Sequence, residues 1–209
     1  MEVEVKLSLP GAEAHSSVLA HLRRSHKLLR VVQQEDFFFD GATKELSEKD
    51  VILRLRFFGD SEKCILTLKG KAVIEGGVSR AYEEEEEMSA HLGRQCVVHP
   101  DSIASLESAL ARKARADYGC QGFVGLGGWT NTRTVFQWES DHLLEVDETR
   151  FAFGTAYEIE CETAQPEVLS LASATLSLDM IFGFALEPKI CVACGFLFCK
   201  HALAVLLPS

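Results

Sequence analysis

The chain is expected to fold as an α+β domain, with antiparallel strands closed or nearly closed into a β-barrel and helices flanking it. Three observations carry that expectation. Charged and apolar residues alternate along several separate segments. The charges are of both signs and sort to one face of each segment. Between these segments lie stretches whose apolar residues recur at helical spacing.

The first strand is the plainest. In Met1-Glu2-Val3-Glu4-Val5-Lys6, the side chains of Glu2, Glu4 and Lys6 fall on one face, while Val3, Val5 and Leu7 fall on the other. The same sorting recurs in Leu53-Arg54-Leu55-Arg56-Phe57, in Ile65 to Lys71, in Leu144 to Glu148 and in Tyr157 to Glu162.

Composition sets the outer bounds. At 209 residues, 47% hydrophobic and 25% charged, the chain is long enough for one globular domain with a real core. A net charge of -10 excludes a general nucleic-acid coat protein. The N-terminus is acidic and has no apolar signal region. Seven cysteines, odd in number and scattered, do not form a secreted disulfide framework. A reducing, cytoplasmic setting is expected.

In chain order, Glu2–Leu9 reads as a strand broken by Pro10-Gly11. Residues 12–29 read as an amphipathic helix with Val18, Leu19, Leu22 and Leu29 on its apolar side. His15, His21 and His26 lack the spacing of a metal pair and are read as solvated. A second strand, 31–40, is dominated by Phe37, Phe38 and Phe39, read as core. Strands 51–58 and 63–71, joined by Gly59-Asp60-Ser61, form a hairpin carrying Arg54, Arg56, Lys69 and Lys71.

After Gly76-Gly77 comes Val78 to Met88, containing Glu83 to Glu87, a run of five glutamates that suits an edge strand or a solvated face. Residues 102–118 read as a helix, capped at Asp101-Ser102 and stopped at Gly119. The glycines of 123–128 do not fit a P-loop. Strands follow at 131–139, carrying Arg133, and at 143–149 and 156–162. A helix is expected from about Glu167. From residue 181 the chain is an apolar, cysteine-rich tail, separate from a 1–180 domain. Cys191, Cys194, Cys199 and His201 there have zinc-ligand chemistry but poor spacing. Lys200 and His201 interrupt any membrane span.

The inner-face inventory is Glu2, Glu4, Lys6, Arg54, Arg56, Lys69, Lys71, Arg133, Glu145, Asp147, Glu158 and Glu160, six basic and six acidic. Arg and Lys at i, i+2 make rows of donors for phosphate oxygens. Carboxylates at i, i+2 on facing strands are hard ligands for Mg²⁺ or Mn²⁺. One site holding both suits a metal–polyphosphate. A closed sheet would gather the rows into one lumen.

The series Glu2-Val-Glu4-Val-Lys6, then Arg54 and Arg56, Lys69 and Lys71, Arg133, Glu145 and Asp147, and Glu158 and Glu160, resembles the ordered signature of the triphosphate tunnel metalloenzymes, the CYTH superfamily. It resembles the small plant inorganic tripolyphosphatases of that family most. The resemblance implies an eight-stranded antiparallel tunnel that binds triphosphate with a divalent metal. It implies that Glu2, Glu4 and Glu160 hold metal, with Glu158 and Asp147 as further acidic partners. Lys6, Arg54, Arg56, Lys69, Lys71 and Arg133 would bind the triphosphate, and Glu4, Lys6, Asp147 and Glu158 would carry catalysis. Glu83 and Glu85 fall where the family has strand glutamates, although Arg80 has the opposite parity.

The expected reaction is metal-dependent hydrolysis of tripolyphosphate to pyrophosphate and orthophosphate. The partner is then a small-molecule triphosphate, acting on a monomer, with no nucleic acid and no membrane. The same scaffold serves thiamine and nucleoside or RNA triphosphatases and the class-four adenylyl cyclases. A non-catalytic polyphosphate sensor would also use it. Trp129 and Trp138 are read as packing residues. The tail departs from the family and suggests an alternative or truncated C-terminus.

Overall fold

Alternation along β1 (Glu2–Leu9) puts Leu7 and Leu9 on a face that is almost fully buried. The chain then turns into α1 (Ala12–Ser25), which lays Ala14, Val18 and Leu22 on the same core. The computed structural model describes residues 2–75, 78–138 and 142–162. The helix expected from Glu167 and the cysteine-rich tail lie outside the described residues.

The remaining elements are β2 (Leu28–Gly41), β3 (Ile52–Phe58), β4 (Lys63–Lys69), β5 (Val73–Glu75), β6 (Val78–Ala81), β7 (Glu83–Ser89), α2 (Ala90–Val98), α3 (Ala109–Tyr118), β8 (Phe123–Gln137), β9 (Leu143–Phe151) and β10 (Gly154–Glu162). The strands form a sheet in the order β5-β6-β1-β10-β9-β8-β2-β3-β4-β7. Eight long strands make up the antiparallel sheet, and the short β5–β6 hairpin extends one edge. Among the described residues the outermost strands, β5 and β7, do not pair, so hydrogen bonds do not close the sheet. The fold is α+β, with helices flanking an antiparallel sheet.

Two compact units divide the described chain: residues 2–33, 73–75, 78–80, 130–138 and 142–162 in one, and 34–72 and 81–129 in the other. In the first, α1 covers the apolar face built by Leu7, Leu9, Phe136, Leu144, Val146, Ile159 and Cys161. In the second, α2 and α3 pack against the apolar face of β4 and β7, over a core that includes Leu53, Leu55, Phe57, Leu66, Leu68 and Ile103. Burial raises the Cys64 and Cys120 thiols to about 11, so these cysteines are protonated packing residues.

Three local expectations are corrected. Helix α1 ends at Ser25 rather than Leu29, because the Lys27 carbonyl accepts from the Gln137 amide at 2.9 Å and draws the chain into β2. His15 is buried rather than solvated, with its ring 4.9 Å from that of Tyr157. The helix expected from residue 102 is two elements. A 3₁₀ turn, Pro100–Ser105, comes first, and α3 then starts at the Ser108 cap, whose Oγ accepts from the Ala111 amide at 3.1 Å. Gly119 ends α3 as expected, in the left-handed region at φ 86°.

Candidate active site

Each unit carries a charged row on the strand face turned away from its helices. The rows follow from register. In the first unit β1 pairs β10, β10 pairs β9 and β9 pairs β8, so Lys6, Glu160 and Glu145 stand side by side. One step along, Glu158, Asp147 and Arg133 do the same.

Arg133 is the hinge of this row. Its Nε donates to Asp147 Oδ1 at 2.9 Å, and its Nη2 donates to Asp147 Oδ2 at 2.6 Å and to Glu160 Oε2 at 2.7 Å. Its Nη1 pairs with Glu145. Burial opposes the charge of Arg133, but Glu160, Asp147 and Glu145 outweigh it and raise its pKa further. Lys6 Nζ lies 2.5 Å from Glu160 Oε1 and 3.8 Å from Glu158 Oε2. Glu145, Asp147, Glu158 and Glu160 are all buried, and Glu4 is half-buried. The Glu2 side chain is outside the described residues.

The second unit carries the mirror composition, with cations foremost. Arg56 makes a two-pronged pair with the buried Asp36, Nε to Oδ1 at 2.7 Å and Nη2 to Oδ2 at 2.8 Å. Arg54 Nη2 donates to Thr67 Oγ1 at 3.3 Å and to Glu83 Oε1 at 3.4 Å. Lys69 Nζ meets the other Glu83 oxygen at 3.1 Å. Burial, then the neighbouring Arg56, push the Arg54 guanidinium pKa down, while Asp36, Glu83 and Glu85 pull it back. A cation held this way is strongly attracted to added negative charge.

Lys71 stands apart from Lys69. It lies beyond the end of β4 with its side chain 71% exposed, against 18% for Lys69, and it pairs with Asp50 at 3.1 Å.

The glutamate run resolves by parity. Glu83, Glu85 and Glu87 oppose Lys69, Thr67 and Ile65 on the charged face. Glu84 pairs with Lys113 of α3, and Glu86 Oε2 accepts from Ser108 Oγ at 2.8 Å and from the Leu110 amide at 3.3 Å. Arg80 is on a different strand, β6, so its opposite parity does not bear on the facing of the glutamates. Asp36 and Thr67 are site residues that the sequence reading missed. Asp36 sits before a run of phenylalanines that reads as core, and its only signal is i, i+2 parity with Phe38.

The donor set fits a hard divalent cation in its chemistry. Among the described residues no three Asp, Glu, His or Cys side chains converge as a ready-made metal cage. That arrangement still suits Mg²⁺, which typically takes one or two carboxylates and completes its shell with water and substrate phosphate. Trp129 packs on Phe38 with ring centres 4.2 Å apart, and Trp138 stacks on His26 at 4.5 Å.

Comparison with known proteins bears on the family and the fold. A CYTH domain model matches residues 1–184. HpAC1 from Hippeastrum, which bears an adenylyl cyclase name and has a dominant triphosphatase activity, is 34% identical; the match covers 100% of this chain and 98% of that one, with a TM-score of 0.86. A Bacillus halodurans protein named as an adenylate cyclase is 18% identical over 90% of this chain and 93% of that one, with a TM-score of 0.68. The mimivirus capping-enzyme triphosphatase is 12% identical over 86% and 90%, with a TM-score of 0.51, and shares the fold. No curated protein sequence matches the chain.

Proposed function

This chain belongs to the CYTH family, and from that premise we propose that it is a metal-dependent triphosphatase that cleaves inorganic triphosphate to pyrophosphate and orthophosphate. The observation that carries the reading is the alternation of cations and carboxylates along both charged rows, on the faces away from the helices. The 34% identity to HpAC1 supports it.

Lys6, Arg54, Arg56, Lys69 and Arg133 bind the phosphate oxygens. The guanidinium groups offer paired donors, and the lysines act as point charges. Glu4, Glu158 and Glu160, with Glu2 and Asp147, would hold the divalent metal, which would supply positive charge against the phosphate oxygens. Asp147 also accepts from Arg133 through both of its oxygens and so holds that guanidinium in place. Glu158 stands next to it in register, and in this reading it takes the proton of the attacking water. As the phosphorus–oxygen bond breaks in line, the Lys and Arg cations take up the charge on the leaving pyrophosphate.

The chain works in the cytoplasm on a small molecule. Cys64, Cys96, Cys120 and Cys161 carry free thiols, which supports a reducing setting. Among the described residues no helix is long and apolar enough to cross a membrane.

The test is a comparison of two cations. Arg54→Ala should raise the KM for tripolyphosphate roughly tenfold to a hundredfold, the worth of a charge-assisted hydrogen bond, with a smaller effect on kcat. Lys71→Ala, outside the strand, should change it far less. Equal effects of the two substitutions would remove the phosphate-binding role from Arg54.

A further inference from the structure

We propose that the amino-terminal part of β2, residues 28–33, is an open sheet edge that takes up an extended acidic segment of a partner protein as an added strand. The site lies within the first unit and does not depend on the hydrolase reading. Unequal strand lengths create the edge. β2 has 14 residues and β3 only 7, and β3 pairs with Gln34 to Phe39. Residues 28–33 have β8 on one side. The Lys27 carbonyl, just before them, accepts from the Gln137 amide at 2.9 Å, and Thr132 Oγ1 donates to Gln33 Oε1 at 3.0 Å. Among the described residues no strand pairs with their other side. His26 stacks on Trp138 and anchors the turn from α1 into the strand.

The side chains along this edge differ from those of the rest of the strand. From Gln34 onward β2 buries residues in alternation and then continuously, whereas none of 28–33 is buried. Leu28, Leu29 and Val31 are 42%, 39% and 50% exposed. A strand edge with open N–H and C=O groups and exposed apolar side chains is a template for a further strand. Charge selects the occupant. Residues 14–34 contain no Asp or Glu, although the chain carries -10 overall. Arg23, Arg24, Lys27 and Arg30 lie in that stretch, are exposed, and make no ion pair among the described residues. Arg23 and Arg24 suit the carboxyl end of the α1 dipole, but Lys27 and Arg30 lie beyond the helix. Alternation puts Arg30 on one face with Leu28, and Leu29 with Val31 on the other. A strand with carboxylates on one face and apolar residues on the other matches both. A second copy does not match, because antiparallel pairing centred on this edge would set Arg30 near its own counterpart, and like charges across a strand pair repel.

The full chain is titrated with a fluorescein-labelled peptide that alternates glutamate and valine, followed by fluorescence anisotropy with no triphosphate present. Saturable binding is expected, weakened about tenfold in the Lys27→Glu, Arg30→Glu double variant. A peptide alternating lysine and valine should not bind. Two further acidic peptides carry methyl groups on the backbone nitrogens of one edge or of the other, and they are tested on the unaltered chain. One should bind like the parent peptide and the other should not, because an added strand donates from one edge only. Equal binding of the two methylated forms would overturn strand addition. No saturable binding of the parent peptide, or unchanged affinity in the double variant, would overturn the acidic partner. Binding of phosphatidylserine vesicles but not of the peptide would overturn the proposal in favour of a membrane surface. A dimer in sedimentation that excludes the peptide would overturn it in favour of a second copy.

Discussion

Arg133 binds three carboxylates at once, and that makes it the residue on which the first row depends. Removing it leaves Glu145, Asp147 and Glu160 buried without their shared counter-charge. Arg133→Ala should cost about 3–5 kcal/mol in denaturant unfolding. Arg133→Lys should recover little of this, since one ammonium cannot present the two parallel donors that Asp147 accepts. His15 makes a separate prediction about pH. Burial lowers its pKa below the ordinary 6.5, with Glu148 and Asp147 pulling partly the other way. The unfolded chain therefore takes up this proton before the folded one does. The stability tied to the neutral ring is complete above pH 6.5 and is lost as pH falls from there towards the folded-state value. His15→Leu should flatten that part of the profile, measured as the urea midpoint against pH; an unchanged slope would mean that other groups set it.

At the scale of elements, β7 and α3 show how one strand serves two faces. The odd glutamates face cations, while Glu86 reaches back to the Ser108 cap. Ser108→Ala removes the hydroxyl that accepts from Ala111 and should cost about 1 kcal/mol, seen as a fall in Tm of about 2–4 °C. The elements also show what a sequence makes legible. β1, β3 and β10 alternate two unlike residue classes, so their faces could be read directly, while their register is set by the pairing. In β7 every position from Glu83 to Glu87 is the same residue, and parity becomes visible only through its partners Lys69, Thr67 and Lys113. α2 was missed because its buried face is Gly93 and Cys96, too small to make an apolar stripe. The helix at 102–118 was misread because Ile103 and Leu110 keep helical spacing across two separate elements. Asp36 was hidden by the phenylalanines beside it, although its pairing with Arg56 makes it part of the site.

For the whole molecule, a net charge of -10 repels polyphosphate except where Lys and Arg are gathered, and those cations are themselves set among carboxylates. In the proposed reading Glu4, Glu158 and Glu160 would hold a divalent metal, whose positive charge would offset that conflict. Glu4→Ala should therefore abolish metal-dependent turnover while leaving the fold intact by circular dichroism, and full activity in that variant would remove the metal assignment. The central claim is tested most directly by phosphate release from tripolyphosphate, ATP and thiamine triphosphate in parallel, with Mg²⁺, Mn²⁺ or EDTA. The account predicts fast release from tripolyphosphate with metal and none with EDTA. No release from any of the three by the folded chain would contradict it and leave a protein that binds triphosphates without cleaving them.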